Sequence, residues 1–153
     1  MTTGKTFLQP NIITATPLQE EEYHDFWSRY FGHIRQWEFL EPQIFSLFDR
    51  WCPDYCGGRW HFYTLSNGGI FLVPPACDSY TPAHEHYELF SGEHNLRIRL
   101  STEACGIAVC LSVWRHHAHR TGCDAMMQHF YRLLDYALQY PEPEYGAIMR
   151  IIR

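Results

Sequence analysis

The chain has 153 residues, 46% of them hydrophobic and 16% aromatic, which is ample for one substantial core. Its 17 acidic residues face 12 basic ones, for a formal charge of -5. Duplex DNA carries one charge per ~1.7 Å of axis, so this balance excludes both whole-surface imitation of DNA and a strongly basic nucleic-acid binder.

The start, Met1-Thr2-Thr3-Gly4-Lys5, lacks the basic start and continuous apolar core of a signal peptide, and no window approaches ~18 consecutive apolar residues. A cytoplasmic protein without membrane contact is expected. Residues 1–10 are expected to be flexible, and residues 1–153 to form a single domain. Six cysteines (Cys52, Cys56, Cys77, Cys105, Cys110, Cys123) are not needed as bridges at this length and are expected to be reduced.

An extended lead holds Ile12, Ile13 and Pro17; a helix is then predicted from Leu18 or Gln19, with Glu20, Glu21 and Glu22 at its positive end and Tyr23, Phe26, Trp27 and Tyr30 on its apolar face. A second helix spans Trp37 to Trp51, with Ile44, Phe45, Leu47, Phe48 and Trp51 facing the core and Pro42 in its first turn. The period then changes to two. Arg59 to Leu65, the turn Ser66-Asn67-Gly68-Gly69 and Ile70 to Val73 read as a hairpin. Pro74-Pro75 and a loop through Asp78 and Pro82 follow. Two more strands, about Glu85 to Phe90 and His94 to Leu100, place Leu96, Ile98 and Leu100 on one face and Arg97 and Arg99 on the other.

Ser101-Thr102-Glu103 starts a helix whose stripe is Ile107, Ala108, Leu111, Trp114 and Ala118. Another helix runs from Asp124 to Gln139, with Met127, Phe130, Tyr131, Leu134 and Ala137 inward. A short last one carries Tyr145, Ile148, Met149 and Ile152. The expected fold is α+β: a four-stranded antiparallel sheet packed with about five helices.

No standard catalytic signature stands out; Glu38, Glu41, Asp49, Asp54 or Glu142 could converge as a carboxylate pair, and nothing singles out a pair. Lys5 is the only lysine, so neither a phosphate-binding loop nor a Schiff base has its lysine. Gly57-Gly58 and Gly68-Gly69 fit turns rather than nucleotide loops, and no serine has the nucleophile-elbow pattern. No cofactor is expected. Ten histidines raise the question of a metal, yet Cys52-x-x-x-Cys56 has one residue too many for a zinc knuckle, even with His84 and His86 to complete a set. No metal site is expected. His116, His117 and His119 read as solvated or as capping a helix end, and Cys105 and Cys110 as small core residues. Alternating strand aromatics flanked by Arg59, Arg97 and Arg99 leave a nucleic-acid-binding sheet face as an alternative.

The passage from Asp54 to Phe71, Asp-Tyr-Cys-Gly-Gly-Arg-Trp-His-Phe-Tyr-Thr-Leu-Ser-Asn-Gly-Gly-Ile-Phe, resembles the central motif of the ArdB/KlcA antirestriction family. That motif is Tyr-x-Gly-Gly-x-Trp-x-Phe-Tyr followed by Ser-Asn-Gly-Gly and an aromatic; Ile70 departs from it. The likeness extends to Ile13-Thr14-Ala15-Thr16, Phe31-Gly32, the run Leu100 to Ile107, and Tyr140-Pro141-Glu142.

The resemblance implies a protein of a plasmid, prophage or other mobile element that relieves type I restriction by interfering with cleavage or translocation, without catalysis and without DNA mimicry. Its partner would be a type I restriction-modification complex, reached directly or indirectly, with DNA a further possibility. A monomer or weak dimer is expected. The partner-binding surface expected here is the hairpin face around Tyr55, Arg59, His61, Tyr63 and Asn67, with Arg97 and Arg99 on the neighbouring strand, because exposed aromatics and Arg dominate interface hot spots. The same Tyr55, Gly57, Gly58 and Asn67 fit turn-making, and Trp60 and Phe62 fit core packing.

Overall fold

The computed structural model describes residues 12–55, 57–76, 86–93 and 95–153. The expectations for residues 1–10 and for the loop through Asp78 and Pro82 lie outside them. The extended lead forms a short strand, β1 (Ala15–Pro17), followed by a 3-10 turn over Glu20–Asp25 and helix α1 (Phe26–Phe31). Glu22 turns back to accept the Gln19 backbone N–H at 3.2 Å, which fixes where the turn begins. A 3-10 turn at Trp37–Phe39 leads into α2 (Leu40–Trp51), with Pro42 in its first turn. Leu40, Ile44, Phe48 and Trp51 are buried at helical spacing, while Phe45 and Leu47 are half-buried.

The central hairpin is β2 (His61–Leu65) and β3 (Ile70–Val73), antiparallel, with Tyr63 opposite Phe71. β1 adds to the other side of β2, with Ala15 opposite Leu65. β4 (His86–Ser91) and β5 (Leu96–Ser101) pair antiparallel by themselves, with Phe90 opposite Arg97. One four-stranded sheet is therefore the wrong arrangement: the strands form a three-stranded sheet, β1-β2-β3, and a separate two-stranded sheet, β4-β5.

The physical reason lies at the edge of β3. Helix α3 (Thr102–Thr121) lies along that edge and takes up its backbone groups. The Leu72 N–H donates to Cys110 Sγ at 3.4 Å, and Trp114 Nε1 donates to the Ile70 carbonyl at 3.2 Å. A helix thus covers the edge that a fourth strand would have extended.

α3 is buried from Ala104 through Leu111 and again at Val113, Trp114, His117 and Ala118, far beyond a single stripe. A helix apolar nearly all round belongs at the centre, and this one packs against β3, β5, α2, α4 and α5. Ser101 caps it, accepting the Ala104 N–H at 3.2 Å.

In α4 (Asp124–Ala137) the expected inward set is displaced. Met126, His129, Phe130, Leu133 and Ala137 are buried, whereas Tyr131 is 52% exposed and Met127 and Leu134 are only partly covered. Two overlapping apolar stripes run along this helix, and the polar His129 hides the one that packs. α5 (Glu144–Ile152) buries Ala147, Ile148, Ile151 and Ile152. Among the described residues no helix is long and apolar enough to cross a membrane.

Candidate partner-binding surface

The chain from Tyr55 to Leu65 is shaped by its glycines and aromatics. Gly57 and Gly58 have φ of +86° and +125°, and a Cβ on Gly58 would press on Pro75. That reversal returns Trp60 to the core, where its indole N–H donates to the Tyr55 hydroxyl at 2.7 Å. Both rings pack edge-on against Phe48. Phe62 stacks on Phe26 with centroids 3.9 Å apart, so β2 is locked to α1. Asn67 closes the hairpin turn: its Oδ1 accepts from the Gly69 N–H and its Nδ2 donates to the Arg132 carbonyl of α4, both at 2.9 Å.

The expected site residues thus divide by role. Tyr55 and Asn67 use their polar atoms internally. Tyr63 is half-buried and stacked on Phe71 at 5.3 Å, and burial, followed by the nearby Glu103 and Tyr23, raises its phenol above the ordinary range. Arg59 and His61 are exposed, with Arg59 paired to Glu20. Arg97 and Arg99 are exposed too, but on the outer face of the β4–β5 ribbon, a different sheet from the hairpin. Arg97 reaches toward Glu88 at 4.0 Å and lies 4.8 Å from the Phe90 ring centroid. The outward set is therefore held on two ribbons, not one face.

Two internal polar clusters escaped the sequence reading. Glu103, in the first turn of α3, accepts phenol hydrogens from Tyr136 at 3.1 Å and from Tyr140. Burial first, then Glu103, pushes Tyr136 up to about 12 and Tyr140 further still, so both phenols stay protonated and act as donors. Beside them Glu144 accepts from the Ser101 N–H at 2.6 Å, tying α5 to the α3 cap. These partners lie 33 to 43 residues apart in sequence, and no local pattern announces them.

His117 is the second cluster and corrects the expectation of a solvated or capping histidine: it is fully buried. Its Nε2 bonds the Arg35 carbonyl at 2.7 Å, and its Nδ1 meets Gln43 and Arg120 at 3.0 Å each. That pattern assigns the proton to Nε2 and leaves Nδ1 an acceptor. His116 and His119 are exposed. Burial pushes the Cys110 thiol up to about 12 and that of Cys105 well above its ordinary value, which makes both inert core residues. Among the described residues no group of three or more His, Cys, Asp or Glu is placed to hold a metal ion; Cys56 and His84 lie outside them.

Two antiparallel sheets gathered around one buried central helix define a particular α+β class, and a solved structure shares it. That structure, described as showing that the KlcA and ArdB proteins have a novel fold and antirestriction activity against type I DNA restriction systems in vivo but not in vitro, superposes with a TM-score of 0.77. The identity is 28%, with 95% of this chain and 98% of that one covered. Antirestriction protein KlcA from Escherichia coli is 32% identical over 148 residues, 94% of this chain and 95% of the relative. The uncharacterized protein YafX of Escherichia coli K12 is 50% identical over 145 residues, 94% of this chain and 91% of the relative. The family model for antirestriction protein matches residues 53–153. The chain belongs to the antirestriction protein family.

Proposed function

We propose that this protein relieves type I restriction of unmodified incoming DNA by interfering with cleavage or translocation by the restriction complex, without catalysis and without imitating DNA. The observation that carries this reading is the shared fold, over nearly the whole of both chains, with proteins described as active against type I systems in vivo but not in vitro. The modest charge balance of 17 acidic to 12 basic residues supports a route other than DNA mimicry. The Tyr136 and Tyr140 phenols and the Cys105 and Cys110 thiols described above are accounted for by internal hydrogen bonds and burial. The contact surface is assigned to the outward residues Arg59 and His61, flanked by Tyr63, with Arg97 and Arg99 on the second ribbon; Tyr55 and Asn67 hold the hairpin in shape behind them.

The test is the plating efficiency of unmodified phage on cells carrying a type I system, with and without this protein at verified soluble levels. Relief of orders of magnitude is expected, while methylation by the same complex persists. Unchanged plating at full expression overturns the reading for that system.

A further inference from the structure

A groove of about 920 Å³ opens between α2, α3, the β4–β5 turn and the end of α5, away from the hairpin face. Its floor is apolar, built from Leu47, Phe90, Val113 and Ile152. At its mouth Phe39 leaves 55% of its surface exposed. Around it stand Arg50, Arg115, Arg153 and His116, and among the described lining residues Glu93 is the only carboxylate side chain. In a chain of net charge -5 this is a local reversal of sign. Arg115 is held in position, its guanidinium donating to the Ile152 carbonyl and lying 5.7 Å from the Phe130 ring centroid. Arg97, over the Phe90 ring and 4.0 Å from Glu88, stands on the adjoining β4–β5 ribbon.

We propose that this groove docks an acidic amphipathic segment of a protein partner, its apolar side chains on the Leu47–Phe90–Val113 floor and its carboxylates against Arg50, Arg115 and Arg153. An apolar trough bordered by cations selects that chemistry, since the floor rewards burial and the rim rewards opposite charge. Nucleic acid fits less well, because stacking along a strand needs a row of exposed aromatic faces and the floor is largely aliphatic. A small molecule fits less well too, because of the uncharged polar side chains in the lining only Ser91 is buried, while Gln43, Ser46 and Ser112 stand partly or largely exposed. The inference is independent of restriction relief, since it concerns the chemistry of the occupant and not its identity.

The probe is a fluorescein-labelled peptide with Glu and Asp on one helical face and Leu and Phe on the other, titrated with the full chain by fluorescence anisotropy. Its counterpart carries Lys in place of every acid. The acidic peptide is expected to bind saturably in the micromolar range and about tenfold or more tighter than the basic one, and to weaken as salt rises. Arg50→Glu with Arg153→Glu should weaken it by about tenfold or more, and Phe39→Ser and Ser46→Trp, which alter the trough without changing charge, should each weaken it about threefold or more. All four positions are exposed, and unchanged melting temperatures verify that the variants fold. Equal binding of the two peptides, no binding of the acidic one, indifference to both sets of variants, displacement by a single-stranded oligonucleotide, or self-association that leaves the peptide free each overturns the proposal.

Discussion

Gly106 of α3 lies so close to Leu72 of β3 that a Cβ at that position would overlap the Leu72 carbonyl oxygen. The missing side chain is what allows the helix to come down onto the strand edge. Cys110 and Trp114, one and two turns further on, then reach the Leu72 and Ile70 backbone. Glycine in a helix interior ordinarily costs about 1 kcal/mol relative to alanine, so its use here marks a position where contact outweighs propensity.

Gly106→Ala is therefore expected to destabilise, opposite in sign to the usual effect of filling a helical glycine. Forcing a methyl against backbone in a packed core places the loss near the upper end of overpacking, about 3 kcal/mol. Urea unfolding checks it; a midpoint equal to or above that of the parent would show that α3 does not bear on β3 as described.

Much of this architecture is local enough to be read directly. The turn from Ser66 to Gly69, the cap at Ser101 and the alternation of Arg97 and Arg99 against Ile98 and Leu100 depend on neighbours a few residues away, and they appear in the fold where the sequence places them. What failed depends on distant partners. Nothing between Ile70 and Val73 says that a helix some 40 residues later will cover that edge, so the pattern by itself points to one sheet of four strands. α4 carries apolar residues on two stripes, and only the surface it meets decides between them. At the candidate site, exposure of His61, Arg97 and Arg99 follows from the period of two, while the inward uses of Tyr55 and Asn67 rest on contacts to Trp60 and Arg132.

Asn67 and His61 should separate cleanly under substitution. Asn67→Ala removes the bonds to the Gly69 N–H and the Arg132 carbonyl and is expected to cost about 1–2 kcal/mol. His61→Ala, at an exposed strand position, is expected to stay within about 0.5 kcal/mol of the parent. If Arg59 and His61 form the contact surface, replacing both by Ala lowers phage plating relief at unchanged melting temperature. Tyr63→Ala is a poor probe of contact, because loss of its stacking on Phe71 alters stability as well.

The pair Trp60 and Tyr55 lends itself to a double-mutant cycle. Trp60→Phe strands the hydroxyl of Tyr55, and Tyr55→Phe strands the indole N–H of Trp60. A coupling of about 0.5–1.5 kcal/mol is expected from chemical denaturation of the four proteins. Strict additivity would remove the hydrogen bond from any account of this turn.

Acid should destabilise the fold through its buried histidines. Burial first, then Arg132 and His33, holds the His129 imidazole down at about 4, and burial, reinforced by Arg120 and His116, lowers His117 despite its bond to the Arg35 carbonyl. Both would titrate near 6.5 in the unfolded chain, so below that pH the unfolded state takes up protons that the native state refuses. Their contribution is fully present above about pH 6.5 and is lost progressively on acidification; for His129 alone the loss approaches 3 kcal/mol by about pH 4. Melting temperatures at about pH 7.5 and about pH 5 measure this, and His129→Leu should flatten the dependence. An equal slope in parent and variant would assign the acid sensitivity to other groups.

The central place of α3, buried along most of its length, also has a temporal meaning. Residues 102–121 follow the five described strands in the order of synthesis, so a nascent chain halted before Thr102 lacks the helix that covers β3 and β5, Leu72 and Leu100 among their residues, although α1 and α2 can already pack on β2 and β4. Cotranslational structure is then confined to α1, α2 and hairpins of marginal stability. The decisive collapse waits until the central helix has cleared the ribosome, which makes the yield of native protein depend on how well the preceding hundred or so residues are shielded during that interval.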